Sequence, residues 1–405
     1  MRISTIIIFA AILLNGCTNT TLTIKTGSIN GSYTLSEDGT RTIISSENTL
    51  QDSSNFVWGA SVIKGDDGRF HMFYARWDTG PDNLSFSNAW VLYSEIAYAV
   101  SDFPDRNFQY VATVLRGRLY EGDSTAWDAQ AVHNPHIKKF DGKYYLYYIG
   151  NMDPGPQPES TPGWALNKRN RCQQNQYTGV VIFDSIDKLL NGEFSRSKTP
   201  LLLPRTRVRA DKKNILFPSP EGTMAKPDNI IIVNPSVVFR ESDEKYLLYF
   251  KGNLYDPHWK GIHGVAIANS PEGPFIALDD FVFDIKTKDG SIVSAEDPYV
   301  WYHNKYKCFY AIIKDFSGKI TSSDPGLAIL RSDDGIAWSK PNGTNMIKKE
   351  LRFKDGSTLK VNNLERPQLL LDKNGKPLVL YAACSIEAVG NKKDGTTFNI
   401  QIPLE

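Results

Sequence analysis

One short unit, written five times into the chain, limits what the chain can fold into. A polar turn runs straight into an aromatic-rich strand at Asp67-Gly68-Arg69-Phe70-His71-Met72-Phe73-Tyr74 and again at Asp141-Gly142-Lys143-Tyr144-Tyr145-Leu146-Tyr147-Tyr148. It returns at Asp243–Phe250, at Asn304–Tyr310 and at Asn374–Tyr381. Asp-Gly and Asn-Gly between apolar runs mark a β-hairpin, because the tight turn needs residues that tolerate positive φ. Each hairpin is preceded by a further apolar strand with a short opening motif: Trp58-Gly59-Ala60-Ser61, His133-Asn134-Pro135-His136, Asn234-Pro235-Ser236, Glu296-Asp297-Pro298-Tyr299 and Glu365-Arg366-Pro367-Gln368. Third strands follow at Ile96–Asp102, Gly179–Ser185, Val265–Pro271 and Leu327–Asp333. A fourth is expected near Gly273-Pro274-Phe275 and Gly335-Ile336-Ala337-Trp338. Four-stranded antiparallel units repeated in this way predict an all-β chain, a five-bladed β-propeller whose blades surround a central funnel. A β-sandwich would not demand five hairpins with matched openings.

The first residues read as an address. Arg2 is followed by an apolar run from Ile3 to Leu14 and then by Asn15-Gly16-Cys17, the layout of an export signal too short to span a bilayer as a mature helix. Its end resembles the bacterial lipobox, which implies cleavage before Cys17, a lipid on that thiol and a periplasmic or cell-surface location. An ordinary signal peptide with a chance cysteine is the alternative. The expected boundaries are a signal over 1–16, a Ser/Thr-rich tether over 17–50 and the propeller over 51–405. Cys172, Cys308 and Cys384 are then an odd set, the last two inside apolar runs as small buried hydrophobes. With 46 basic against 45 acidic side chains there is no electrostatic reason to expect nucleic acid, and membrane contact is expected through the lipid on Cys17 alone.

Proline is tolerated at the first position of a strand, where no ladder donor is lost. The residue before it should therefore face the mouth of the funnel. That gives Asn134, Asn234, Asp297 and Arg366, with Ala60 aligned to them in the first unit, and Gly59, His133, Val233, Glu296 and Glu365 beside them.

These motifs, in this order and register over about residues 55–385, resemble the five-bladed glycoside hydrolases. The resemblance takes in the arabinanase/xylosidase clan of family 43, the invertase/levansucrase clan, family 117 and family 130. It is nearest to family-43-like hydrolases of polysaccharide-degrading bacteria. It implies removal of a terminal sugar from an oligosaccharide or polysaccharide by acid/base catalysis, without a cofactor. One departure matters. The family places a general-base Asp, a second Asp and a general-acid Glu at its first three blade openings, where this chain has Ala60, Asn134 and Asn234.

Acidic residues gather instead on the last two units. Glycoside hydrolysis needs one carboxyl kept protonated and one ionised, so Asp297 with Glu365 is the first pair expected. Glu296 shares a strand with Asp297 and should face the other way. Arg366 would hold a neighbouring base ionised. Equally, both acidic pairs would serve as inter-blade hydrogen bonds closing the ring. Asp128 and Glu95 are further candidates for the acid, and His133 for a sugar contact or a proton donor. In an antiparallel hairpin the end of the second strand returns beside the start of the first, which brings Arg76, Lys251, Lys314 and Asp315 to the rim. A cationic ring of that kind suits a sulfated or uronic-acid sugar. Of Trp58, Trp77, Trp127, Trp164, Trp259 and Trp301, the best placed as sugar platforms are Trp77 and Trp259. No metal-ligand spacing is present. A basic insertion holding Lys168, Arg169, Arg171 and the stretch 205–213 is expected to arch over the cavity. A glycan-binding lipoprotein without catalysis is the rival reading.

Overall fold

The computed structural model describes residues 22–340, 346–390 and 396–405. The expected signal over 1–16 and the lipobox-like end at Cys17 lie outside these residues. Five four-stranded antiparallel sheets form the blades. Their inner strands, Phe56–Lys64, Ala131–Phe140, Val233–Arg240, Ala295–His303 and Asn363–Leu371, contact one another in order round a closed ring. The second blade's hairpin turns as anticipated, with Asp141 and Gly142 at φ of 48° and 82°, the left-handed pair that matches strand twist, whereas the other four turns place a single residue, Gly68, Glu244, Lys307 or Gly375, at positive φ.

Aromatic residues on both faces of the second strand fill the spaces between blades in the first four, and Tyr381 does so in the fifth. Tyr74, Tyr147, Tyr148, Tyr249, Tyr310 and Tyr381 are fully buried. Cys308 and Cys384 lie in the core as expected, and Cys172 is buried as well.

Two expectations need correction. The outer strand of the fourth blade is Met346–Lys348, whereas Gly335–Trp338 is a turn whose Trp338 ring packs on Tyr249 and Phe283. The segment 22–50 is not a tether. Leu22, Ile24, Ile29 and Ile44 are buried in a core shared by the fourth and fifth blades, and Thr49–Gln51 is the outer strand of the fifth blade, paired with Thr397–Pro403. The two ends of the chain thus close the ring, which removes the free edge that a linear array of sheets would leave. Serine and threonine content pointed to a linker, but isolated Leu and Ile side chains at intervals were enough to bury the segment.

Side chains just after the opening motifs staple neighbouring blades. Ser61 Oγ accepts the Ile137 N–H, His136 Nε2 the Val237 N–H and Ser236 Oγ the Val300 N–H, at 3.1, 3.0 and 2.9 Å. Gln368 Oε1 lies 3.1 Å from Ser61 Oγ and 2.9 Å from His136 Nδ1. These bonds hold the inner strands at one height, so equivalent residues of different blades meet at the mouth.

Candidate active site

Every opening motif contains one extra residue that breaks the register with the second strand. That residue has positive φ in all five blades: Gly59 at 36°, Asn134 at 51°, Asn234 at 58°, Asp297 at 60° and Arg366 at 55°. The first blade therefore aligns one residue earlier than the sequence suggests, with Gly59 at the mouth position and Ala60 where the others carry proline. A bulge of this kind re-aims side chains at the end of a strand. Here it produces two layers.

The bulged residues form a floor across the axis. Asp297 is buried there; its Oδ1 meets Arg366 Nη1 at 2.9 Å and accepts from Asn234 Nδ2 at 2.9 Å, and its Oδ2 accepts the Arg366 N–H at 3.1 Å. Arg366 also donates to Asn234 Oδ1. The Asn134 amide is satisfied with its oxygen turned to Arg366, accepting from both terminal nitrogens at 2.8 Å.

The residues one step earlier, Trp58, His133, Val233, Glu296 and Glu365, form the wall of a cavity of about 330 Å³ above that floor. This lies in the range of small-ligand sites. On one side the wall is apolar, from Trp58, Trp77, Phe86 and Trp90; on the other it is charged. Glu296 pairs with Lys251 and, at 3.7 Å, with Lys314; the Lys314 ammonium also lies 2.6 Å from Glu365 Oε1. Lys251 sits over the Trp259 ring at 4.9 Å and Lys314 over the Phe316 ring at 4.0 Å, so aromatic faces hold both ammonium groups in place.

The two glutamates are driven apart. Burial opposes ionisation of Glu296, but the charges of Lys251, Lys314 and Arg366 outweigh it and hold its carboxyl at about 2. Burial dominates at Glu365 and, with Asp297 and Glu296 nearby, raises its pKa against the pull of Lys314. Burial pushes one acid toward its protonated form while the lysines hold its neighbour ionised. Burial, helped by Arg366, drives His133 down to about 3, so it faces the cavity as a neutral imidazole, edge-on to Trp90 at 4.9 Å.

The structure brings Glu296, Glu365, His133, Asn134, Asn234, Arg366, Lys251, Trp77 and Trp259 to the cavity, with Lys314 behind the two glutamates. Asp297 belongs to the floor beneath. Other expected residues lie elsewhere. Asp128 is closed off by Arg118 and Arg196 at 2.8 and 2.7 Å and by Tyr148. Glu95 is held by Arg76 and Arg116, and Arg76 leans on Tyr110 at the outer strand of its blade, away from the rim. Asp315 is buried and accepts the backbone N–H groups of Ser317, Gly318, Ile320 and Thr321, which shapes the turn after its strand. Trp77 packs against Phe56 and Phe86 as wall, while the partly exposed Trp259 donates to Asn253 Oδ1 at 3.0 Å with its edge toward Phe316.

Sequence reasoning missed Phe86, Trp90 and Phe316. The first two ride on a helix, Phe86–Tyr93, inserted between the second and third strands of the first blade. The gap between Trp77 and Glu95 is the only signal for it. The expected basic insertion is divided by the strand Gln176–Phe183: the helix Lys168–Gln173 before it packs Cys172 against Val91 and Leu92 and brings Gln173 to the cavity wall, whereas the stretch 205–213 after it does not line the cavity. Arg171 of that helix is held by Asp153 at 2.7 Å.

Among solved structures the chain is similar to Zg3597, a family 117 glycoside hydrolase from the marine bacterium Zobellia galactanivorans, at 15% identity and a TM-score of 0.53 over 94% of this chain and 90% of that one. It is similar to BT0996, solved as an RGII complex, at 10% identity and a TM-score of 0.57, over 94% of this protein and 92% of that one. A thermostable family-43 glycoside hydrolase follows at 11% identity and a TM-score of 0.51, over 88% and 90%. The chain shares its fold with these solved glycoside hydrolases of families 117 and 43. At these identities the likeness extends to the fold alone. No protein-family model matches the chain, and no curated protein matches it in sequence.

Proposed function

We propose that the protein is an exported glycoside hydrolase, tethered by a lipid on Cys17, that removes a terminal sugar from an anionic oligosaccharide or polysaccharide. The observation that carries this reading is the pair Glu296 and Glu365, joined through one ammonium and shifted in opposite directions. Glu365, buried and inclined to hold its proton, is the general acid that protonates the leaving oxygen. Glu296, held ionised by its lysines, is the base or nucleophile on the other side of the scissile bond. Lys314 tracks the proton: as Glu365 gives it up, the new carboxylate finds the ammonium already in place, which stabilises the charge formed in that step.

The apolar half of the wall supplies ring faces for the C–H surface of a sugar, and His133 and Gln176 supply neutral hydrogen bonds. A cavity closed below by the Asp297–Arg366 floor favours a chain end over a mid-chain segment. Lys251, Lys314 and Arg366 stand against Glu296 and Asp297 once Glu365 carries a proton, leaving one positive charge over, which suits a sulfated or uronic-acid sugar.

A second reading, glycan binding without turnover, draws on the ion pairs that engage both glutamates and on the uncharged Gly59, Asn134 and Asn234 at the first three openings. Release of reducing sugar from a panel of sulfated and uronate-containing oligosaccharides tests the proposal. Turnover by the wild type that disappears in Glu365→Gln is expected. Binding of such glycans with no release from any of them would transfer the case to the second reading.

A further inference from the structure

Between the third and fourth blades, next to the cavity, runs an open groove of about 910 Å³. Its lining carries five lysines, Lys260, Lys286, Lys288, Lys319 and Lys340, against a single carboxylate, Asp289. Most of the remainder is serine and threonine. Among the described residues, Lys286 alone of the five has a carboxylate within ion-pair reach, Asp284 at 3.8 Å. Asp289 is turned inward to its own loop, where it accepts from Thr287 Oγ1 and from the Ser291 N–H at 3.2 Å. The chain as a whole carries a formal charge of only +1, so this concentration of unbalanced lysines is a local feature. Lysines along one concave wall raise the local concentration of anions and guide them inward.

The groove continues the cavity. Lys260 follows the cavity residue Trp259, Ser317 follows Phe316, and Ser294 lies two residues before Glu296 on the same segment. A ligand lying in the groove therefore reaches the charged half of the cavity across the Trp259 and Phe316 rings. Hydroxyls and ammonium groups, with few apolar side chains between them, match a chain that presents repeated anionic groups and hydroxyls.

We infer that the groove holds the following units of a polyanionic glycan, sulfated or uronate-bearing, whose terminal sugar occupies the cavity. The terminal placement rests on the glycosidase reading; binding in the groove does not require turnover. A nucleic acid or a lipid headgroup would answer the charge as well, but neither accounts for a groove that opens into a cavity walled by aromatic rings.

Affinity electrophoresis in gels containing dextran sulfate, polygalacturonate or neutral dextran tests the inference. The full chain should be retarded by at least one of the polyanions and not by neutral dextran, and the pair of polyanions separates sulfate from carboxylate recognition. Lys286→Ala/Lys288→Ala/Lys319→Ala should weaken that binding by roughly tenfold, the sum of several modest exposed contacts. A matched loss of charge at the far ends of the strands, Lys305→Ala/Lys373→Ala/Lys376→Ala, should leave it unchanged, and added salt should erase the difference. A wild type that runs equally in all three gels overturns the inference, as does equal retardation of the two triple variants. Retardation lost in the groove variant, in a protein that turns over no glycan, would uphold the groove and remove the hydrolase.

Discussion

At the openings of the first three blades the bulged position holds Gly59, Asn134 or Asn234 and the residue before it is Trp58, His133 or Val233; in the last two blades the same positions hold Asp297 and Arg366, preceded by Glu296 and Glu365. The backbone is alike in all five, a left-handed residue and a break in register. The chemistry is not. At these ten positions three blades contribute only uncharged groups and two contribute every carboxyl group of the mouth, with Lys251 of the third blade reaching across to Glu296. The difference teaches that ring geometry needs only the bulge and the inter-blade staples, which leaves side chains at ten positions free to divide into a half that grips and a half that reacts.

The sharpest way to break this division is to exchange one residue from each half. Glu365→Gln should lower kcat/KM by about 10²–10⁴-fold, the usual share of a general acid. His133→Ala, on the uncharged side, should cost roughly tenfold, mostly in KM, in line with the loss of a single hydrogen bond to substrate. Steady-state kinetics on one oligosaccharide decides it. Equal losses would mean that the two halves are not functionally distinct.

The floor offers the same contrast in stability. Arg366→Met leaves Asp297 buried without its cation and should destabilise the fold by about 3–5 kcal/mol. Asn134→Ala removes a neutral partner of the same guanidinium and should cost about 1–2 kcal/mol. Denaturant unfolding of both variants measures the gap. Two similar values would show that the Asp297–Arg366 pair adds nothing beyond its hydrogen bonds.

These contrasts also mark how far the sequence could be read. Hairpins were legible because turn and strand chemistry are local, and the openings because proline leaves a visible stamp. The register at Gly59 was not, since glycine stands where the other openings carry Asn, Asp or Arg and no proline follows. Glu296 was set behind Asp297 because a regular strand alternates its faces; the bulge makes Asp297 the residue that turns into the floor and leaves Glu296 on the wall. Asp128 and Glu95 carry the residue type of a catalytic acid, and only three-dimensional contacts show their arginine partners. Strand Thr49–Gln51 pairs with residues at the far end of the sequence, a relation that no local pattern records.

Lys314 ties the reacting half together, so its removal sharpens the comparison through pH. A general acid works while protonated, and activity falls as pH rises through its pKa. Lys314 pulls the Glu365 pKa down against the lift from burial, so Lys314→Met should move the basic limb of the kcat/KM profile to higher pH. Glu296 loses one of the cations that hold it at about 2, so the acidic limb should move upward too. Trp90→Phe, on the uncharged wall, should leave both limbs where they are. A basic limb that stays put in Lys314→Met would mean that Glu365 is not the group that titrates.

The smallest effect is expected at Gly59, where the uncharged half meets the floor. Its φ of 36° suits glycine, and a Cβ there would lie 3.3 Å from Arg366 Cγ and 3.4 Å from the end of the Asn134 amide. Gly59→Ala should therefore cost about 1–2 kcal/mol from the left-handed backbone alone. The contact adds a push of a few tenths of an ångström on Arg366. Because Arg366 lies beneath Glu365, that push should also lower turnover slightly while leaving the pH limbs in place, a combination that neither a pure stability defect nor a change of acid would give. An alanine variant as stable and as active as the wild type would show that the floor yields freely, and that the first blade is joined to the charged half by position only.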